Sequence, residues 1–415
     1  MRTLRDIVEA NRGGERCAIP SYCTAHPETL SAIFAAYRDD AAPILVEATC
    51  NQVNQFGGYT GMTPADFRRF VEALAEREGV ARDRLILGGD HLGPNPWKAE
   101  PTAAAMAKAR DMVAAFVEAG FTKIHLDASM ACADDGLLTE AVMAERAADL
   151  CAVAEAKGKG DLLYVIGTEV PIPGGETEAL DTLAVTPPEA VAHTYALHRE
   201  AFAARGLEAA LERAIGIVVQ PGVDFGNDQI FAFQPDKATA LSRSAAALPG
   251  LCFEAHSTDY QSQDALAALV AHHFAILKVG PELTFAFRQA VAALARIEAE
   301  MDVAEPSRIL DVITEEMRGN PRDWRAYVAP GPREAAMMLY GLSDRVRYYW
   351  PRPAIQAALA KLGANLAAAR PEPGLVAQYA GALVDGAVDP ATLPQHLVRR
   401  MVGDVVAKYR AAAAS

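Results

Sequence analysis

PILVEATCNQVNQFGGYTGMTPADFRRFVEALAEREGVARDRLILGGDH, residues 43–91, holds one complete strand–helix–strand unit. PILVEAT (43–49) and LILGGDH (85–91) are short β-rich runs that carry acidic or imidazole groups towards their C-terminal ends. Between them, PADFRRFVEALAEREGV (64–80) sets Phe67, Phe70, Val71 and Leu74 on one face of a helix. Thr63 stands where a cap belongs, and Pro64 falls at the first helical position, where a missing N–H costs nothing. Strands joined by a crossover helix run parallel.

The unit recurs. CAIPSY (17–22), KIHLDAS (123–129), LLYVIGTE (162–169), IGIVVQP (215–221), LCFEAHS (251–257) and AILKVGP (275–281) complete a set of eight runs separated by Ala/Glu/Arg-rich helical segments. Eight βα units predict an α/β fold, a (β/α)8 TIM barrel; an open doubly wound sheet is the alternative, and it rarely needs eight. Beyond Pro281 the β-rich runs stop. Helical segments follow at about 282–302, 307–318, 332–345, 353–368, 373–385 and 391–413, punctuated by Gly319, Pro321, Gly331, Pro351 and Pro371. The expected organisation is a barrel over 1–302 and a helical appendage over 303–415 packed on it.

The chain has 415 residues, a net charge of −14 and 51% apolar residues, enough for a large core but without the basic face that nucleic acid requires. That balance leaves room for a phosphorylated small molecule, since a few local cations suffice for one phosphate. No run reaches the ~18 apolar residues of a membrane span, and the start, MRTLRDIVEANRGGER, has no apolar signal-peptide core. Cys17, Cys23, Cys50, Cys132, Cys151 and Cys252 are scattered and form no CxxC pair, which predicts reduced thiols of a cytoplasmic protein.

Barrel active sites gather at the C-terminal ends of the strands. Here those ends carry Glu47, Asp90 and His91, Asp127, Glu169, Gln220, Glu254 and His256, and Lys278. Alternation puts Lys123, His125 and Asp127 on one face of their strand, and Cys252, Glu254 and His256 on one face of theirs. An interior that turns acidic and His-rich is costly unless its groups are paired or metal-bound. Each residue also has a structural reading: Asp90–His91 as a hydrogen-bonded core pair, Glu169 as a helix cap, His125 as a core histidine. Lys278 is either a Schiff-base nucleophile or an ion-pair partner for the carboxylates. His91, His256 and Glu169 are the predicted ligands of a divalent metal, with zinc the expected identity. Gly- and hydroxyl-rich turns at Gly222, Ser257, Thr258 and Gly280 are predicted to cradle phosphate, with Gln220 and Lys278 beside them and Arg345 or Arg347 of SDRVRYYWP as a clamp. The competing reading of SDRVRYYWP is aromatic packing of the appendage. No P-loop, dinucleotide fingerprint or GxSxG elbow is present.

EATCNQVNQFGGYTGMTPADFR (47–68), LGGDHLGPNPW (87–97), KIHLDASMACADD (123–135), GTEVPIPGG (167–175), QPGVDFGN (220–227) and SDRVRYYWP (343–351) together resemble the GatZ/KbaZ family, the non-catalytic subunits of D-tagatose-1,6-bisphosphate aldolase. The resemblance runs over nearly the whole chain. It implies a barrel, and galactitol or N-acetylgalactosamine breakdown through a phosphorylated ketohexose, D-tagatose 6-phosphate. It leaves three functional readings: a 4-epimerase interconverting D-tagatose 6-phosphate and D-fructose 6-phosphate, a stabilising partner of a class II aldolase chain, or a tagatose 6-phosphate kinase. The lack of a nucleotide phosphate loop counts against the kinase. Asp90 followed by His91 also resembles the Asp-His pair of class II aldolases. For the epimerase reading, Asp90, Asp127 and Glu47 are the candidate catalytic carboxylates. Self-association into a homo-oligomer is a further expectation.

Overall fold

A computed structural model describes residues 2–168, 183–381 and 389–414. Its eight barrel strands are β1 (Ile19–Tyr22), β2 (Ile44–Thr49), β3 (Leu85–Leu92), β4 (Lys123–Leu126), β5 (Leu163–Ile166), β6 (Ala214–Val218), β9 (Cys252–Ala255) and β10 (Phe274–Val279). Two further strands of two residues each, β7 (Asp224–Phe225) and β8 (Ile230–Phe231), form an antiparallel hairpin between β6 and β9. The barrel closes in the order β1-β10-β9-β6-β5-β4-β3-β2, with every neighbour parallel, so the TIM barrel is the fold. The hairpin is too short for a period-two pattern to announce it.

Period-two alternation decides what each strand offers to each side. Outward residues such as Tyr22, Val46, Ile124, Leu126, Phe253 and Leu277 join the large core under the helices. Inward residues at the lower end, among them Ile19, Leu45, Val165, Ile215 and Ile276, form a second apolar cluster, which the N-terminal helix Leu4–Arg12 plugs with Leu4, Ile7 and Val8. Above that plug the interior becomes charged. The helix Pro64–Arg77 begins as its sequence requires: the Thr63 hydroxyl accepts the Asp66 N–H and the Asp66 carboxylate accepts the Thr63 N–H.

Two glycines let the charged layer fit. A Cβ on Gly88 would stand 2.7 Å from Glu47 Cγ, so only glycine leaves space for that carboxylate between β2 and β3. A Cβ on Gly93 would fall 1.6 Å from the Asp127 carbonyl oxygen, so β3 and β4 approach this closely only with glycine there.

Helices follow the last strand. Leu393–Ala413 packs against Pro27–Ala36, Gln263–Ala271 and Pro281–Ala299, beside the start of the barrel, and its Ala413 carbonyl accepts the Ala18 N–H at 3.0 Å. The buried Tyr409 hydroxyl donates to the Thr258 carbonyl at 2.7 Å and lies 2.9 Å from the Thr258 hydroxyl. The stretch expected as one helix over 332–345 instead ends at Tyr340, in the helix Glu334–Tyr340. Gly341 ends that helix in extended backbone, Asp344 takes a left-handed φ of 42°, and a single tight turn, Arg345–Tyr348, follows. A buried ion pair from Arg288 Nε to Asp344 Oδ1, 2.7 Å, ties this turn to the last barrel helix. Among the described residues no helix is long and apolar enough to cross a membrane, and the cysteines are free.

The Tyr409 contact makes a stability prediction. Tyr409→Phe leaves the Thr258 carbonyl without that buried donor and should lower the unfolding free energy by about 1–3 kcal/mol, with unchanged circular dichroism. Urea denaturation measures it; an unchanged midpoint would mean that the Tyr409 hydroxyl adds nothing to holding the C-terminal helix.

Candidate active and metal-binding site at the barrel mouth

The charged layer begins at Lys123, which has 0% exposure. Its Nζ lies 2.7 Å from Glu47 Oε1 and 2.8 Å from Glu254 Oε2, and Ser21 donates to Glu47 Oε1 at 2.5 Å. One step higher, Lys278 Nζ meets Asp90 Oδ1 and stands 3.7 Å from Glu254 Oε1 and 3.8 Å from Glu47 Oε2. Burial works against both ammonium groups, yet Glu254 and Glu47 hold the Lys123 pKa above its usual value. Asp90 and Glu47 hold that of Lys278 well above its own. A Schiff-base nucleophile needs a neutral amine, so Lys278 takes the ion-pair role instead.

Three imidazoles crown this ladder. The rings of His91, His125 and His256 form a triangle with centroids 5.1, 5.0 and 5.2 Å apart. His125 Nδ1 lies 2.9 Å from Asp90 Oδ1 and 3.2 Å from the His91 backbone nitrogen, and its buried Nε2 has no hydrogen-bond partner among the described residues. His256 Nε2 is 2.9 Å from Glu254 Oε1. Burial, then the charge of Lys278, lowers its pKa to about 3 and keeps it neutral. His91 has a left-handed φ of 50° at the end of β3, and Ser257, just past β9, has one of 52°. Such strain costs about 1–3 kcal/mol per residue and concentrates at functional sites.

Both sequence-predicted aspartates are ionised. Burial opposes ionisation of Asp127, but the hydrogen bond from His91 Nδ1 at 2.8 Å overcomes it and lowers the pKa. Its second oxygen accepts the N–H and hydroxyl of Ser129 at 2.9 and 2.6 Å. Burial likewise opposes ionisation of Asp90, and His91, Lys278 and His125 together hold its pKa well below the usual range. Asp127 is therefore spent on orienting His91, while Asp90 lines the open cavity.

Asp90, His125, Glu254 and His256 each offer a ligand atom, all within 4.8 Å of one another. Two imidazoles and two carboxylates suit zinc or a similar divalent ion. The same layer buries four acidic side chains (Glu47, Asp90, Asp127, Glu254) beside Lys123 and Lys278. Of the predicted ligands, His256 belongs to this group and His91 stands beside it, with Nε2 3.6 Å from Asp90 Oδ2. Glu169 lies outside the described residues. His125, read from the sequence as a core histidine, is a member; its inward parity with Lys123 and Asp127 was the available signal.

A cavity of about 380 Å³ opens over the cluster, with Asp90, His91, His256 and Lys278 in its wall. Ser257 and Gly280 also line it. Several expected phosphate donors are already engaged. The Gly222 N–H donates to Gln220 Oε1 at 2.8 Å, the Gly280 N–H to Asp259 Oδ1 at 3.0 Å, and the Thr258 hydroxyl to the Lys278 carbonyl at 2.7 Å. Arg345 is buried behind the wall, with Nε donating to the Asp323 carbonyl at 2.5 Å and its guanidinium 3.7 Å from the Tyr327 ring centroid. Arg347 is the arginine of this turn that reaches the cavity.

Residues 4–414 match the sequence profile described as D-tagatose-1,6-bisphosphate aldolase subunit GatZ/KbaZ-like. A Klebsiella pneumoniae protein named D-tagatose-1,6-bisphosphate aldolase subunit GatZ is 51% identical over 383 residues, covering 91% of this chain and 90% of its own. A Salmonella newport protein of the same name is 48% identical over 418 residues, covering 98% of both. The crystal structure of a protein from Sinorhizobium meliloti 1021, described as a probable tagatose 6 phosphate kinase, superposes with a TM-score of 0.86 at 46% identity, over 95% of this chain and 100% of that one.

Two predictions follow from this geometry. His125→Ala removes a candidate ligand whose Nε2 has no hydrogen-bond partner among the described residues, and should abolish stoichiometric binding of a divalent metal while the chain stays folded. Metal analysis of the purified variant is the check, and full occupancy would exclude His125. The second concerns Asp259, whose pKa burial raises to about 7. A carboxyl raised in the folded state contributes stability that is complete below its unfolded pKa of ~4 and is lost as pH rises through the folded value. Asp259→Asn should remove that loss, so the stability difference between wild type and variant should change with pH between about 4 and 7 and be flat above. Urea titrations across that range measure it.

Proposed function

The chain belongs to the GatZ/KbaZ-like family of D-tagatose-1,6-bisphosphate aldolase subunits, and from that premise we propose that it has a working active site of its own. The reaction is the metal-dependent interconversion of D-tagatose 6-phosphate and D-fructose 6-phosphate. The observation that carries the proposal is the convergence of Asp90, His125, Glu254 and His256, with Lys278, beside an open cavity. Burying so many ionisable groups costs several kcal/mol per unpaired ion, and a purely supporting barrel gains nothing from doing so.

The chemistry is constrained by the substrate. The C4 hydrogen of a 2-ketose is not adjacent to the carbonyl and is not acidic, so inversion at C4 without a redox cofactor requires breaking the C3–C4 bond. The C4 hydroxyl gives up its proton and becomes an aldehyde, while the bond's electron pair moves into the C2–C3 fragment. The aldehyde then presents its other face and the bond re-forms. A divalent cation held by His125, Glu254 and His256 would supply positive charge for the C2 and C3 oxygens, where negative charge develops. Asp90 lines the cavity as an ionised carboxylate, and it takes the C4 hydroxyl proton and returns it. Asp127 fixes the His91 ring, and Lys278 fixes Asp90 and Glu254 by charge. Glu47, locked between Lys123 and Ser21, sustains the ladder below the reacting atoms.

The second reading is a stabilising subunit of a class II aldolase, and the names of the 51% and 48% identical relatives favour it. The two readings part in one assay. With zinc or another divalent metal, the purified chain should convert D-tagatose 6-phosphate, chelation should stop it, and Asp90→Asn should lower kcat by ~10²–10⁴. Absence of turnover with every divalent metal, together with stabilisation of an added class II aldolase chain, would establish the second reading.

A further inference from the structure

Barrels commonly hold a substrate phosphate at the turns after their last strands, on backbone N–H groups at a helix N-terminus. In this chain that place is filled from within. Asp259 Oδ1 accepts both the Gly280 N–H at 3.0 Å and the Glu282 N–H at 2.7 Å, at the start of the helix Pro281–Ala299. The Thr258 hydroxyl and the Gly222 N–H are engaged as well. A phosphate arriving there would have to displace a buried carboxyl from the donors it needs, and would meet the charge of that carboxyl whenever it is ionised.

The opposite condition holds at Arg347. This half-buried cation lines the cavity, yet no carboxylate of the described residues forms a salt bridge with it. Asp344, three residues earlier, is taken by Arg288 at 2.7 Å. The Arg347 Nη1 donates to the carbonyls of Ser343 and Asp344, and Nη2 to the Tyr348 hydroxyl at 3.1 Å. A guanidinium has five N–H donors, so Nε–H and one Nη2–H have no partner among the described residues. The surroundings add positive charge. The guanidinium groups of Arg345 and Arg347 lie 4.4 and 4.6 Å from the Tyr348 ring centroid, and Arg345 likewise has no carboxylate salt-bridge partner among the described residues. Burial opposes ionisation of the Tyr348 hydroxyl, but the two arginines lower its pKa.

We infer that the phosphate of the substrate binds at Arg347, on the wall built by the Arg345–Tyr348 turn, and that the turns after β9 and β10 do not hold it. The inference rests on the ketohexose-phosphate reading of the cavity. It makes the C-terminal segment part of the active site: the segment recognises the phosphorylated end of the sugar while the strand ends act on its carbons. Arg347 and the Arg288–Asp344 pair then have linked tasks, one binding the anion and the other holding the turn in place.

The test separates binding from turnover. Calorimetric titration of the wild-type chain with inorganic phosphate and with D-tagatose 6-phosphate should give binding that Arg347→Gln weakens by roughly 10- to 100-fold, as expected for loss of hydrogen bonds to a charged group. Affinity for unphosphorylated D-tagatose should be unchanged. Unchanged phosphate and sugar-phosphate affinity in the folded variant would overturn the inference. Should the variant fail to fold, wild-type crystals soaked in phosphate decide: an anion on Arg347 supports the assignment, and an anion on Gly280 or Ser257 overturns it. Turnover with an unaltered KM in Arg347→Gln would remove this inference and leave the epimerase reading standing. Phosphate binding that depends on Arg347 in a chain with no turnover would do the reverse.

Discussion

The fully buried Lys123 ammonium, bridging Glu47 and Glu254 at 2.7 and 2.8 Å, is the constraint on which the rest of the site depends. It sits on the boundary between the apolar plug of the barrel and its charged mouth. Removing one partner of a buried ion pair costs about 3–5 kcal/mol, because the survivor stays buried and uncompensated. Glu254 is therefore fixed from below and can present its other oxygen to His256 and Lys278. Glycine at 88 is required for the same reason, since any side chain there would collide with Glu47. The mouth is built upward from this pair: Lys278 orders Asp90, Asp90 orders His125, and Asp127 orders His91.

Much of this was legible in the sequence, because it follows from period-two alternation. The runs at 123–129 and 251–257 put Lys123, His125 and Asp127, and Cys252, Glu254 and His256, on inward faces, and β4 and β9 realise both patterns. The eight barrel strands needed only the repeat of short β runs between helices. Side-chain partners were not legible. Nothing local to His125 distinguishes a core imidazole from a ligand; the difference is Asp90 on the next strand and an Nε2 left without a partner. The phosphate expectation at Gly222, Thr258 and Gly280 rested on residue types that favour exposed N–H and hydroxyl donors. It could not foresee that Gln220, Asp259 and the Lys278 carbonyl engage those donors. Arg345 and Arg347 look equivalent in SDRVRYYWP, and only the left-handed Asp344 and the tight turn after it send one behind the wall and the other to the cavity.

The family relationship and the geometry emphasise different things. The relatives' name describes a chain that serves an aldolase. The mouth of this barrel brings together a group of side chains suited to a divalent ion, a carboxylate beside a cavity, and a cationic wall. Cleavage at C3–C4 followed by re-addition is the aldolase half-reaction run in both directions without release of the fragments.

The most direct measurement follows the hydrogen at C4. D-tagatose 6-phosphate carrying deuterium at C4 would be incubated in ordinary water with the metal-loaded chain and no other protein, and the product examined by NMR. Carbon–carbon cleavage never breaks the C4–H bond, so the account predicts D-fructose 6-phosphate with the deuterium still at C4. Loss of that deuterium to solvent, or no product at all, would contradict it.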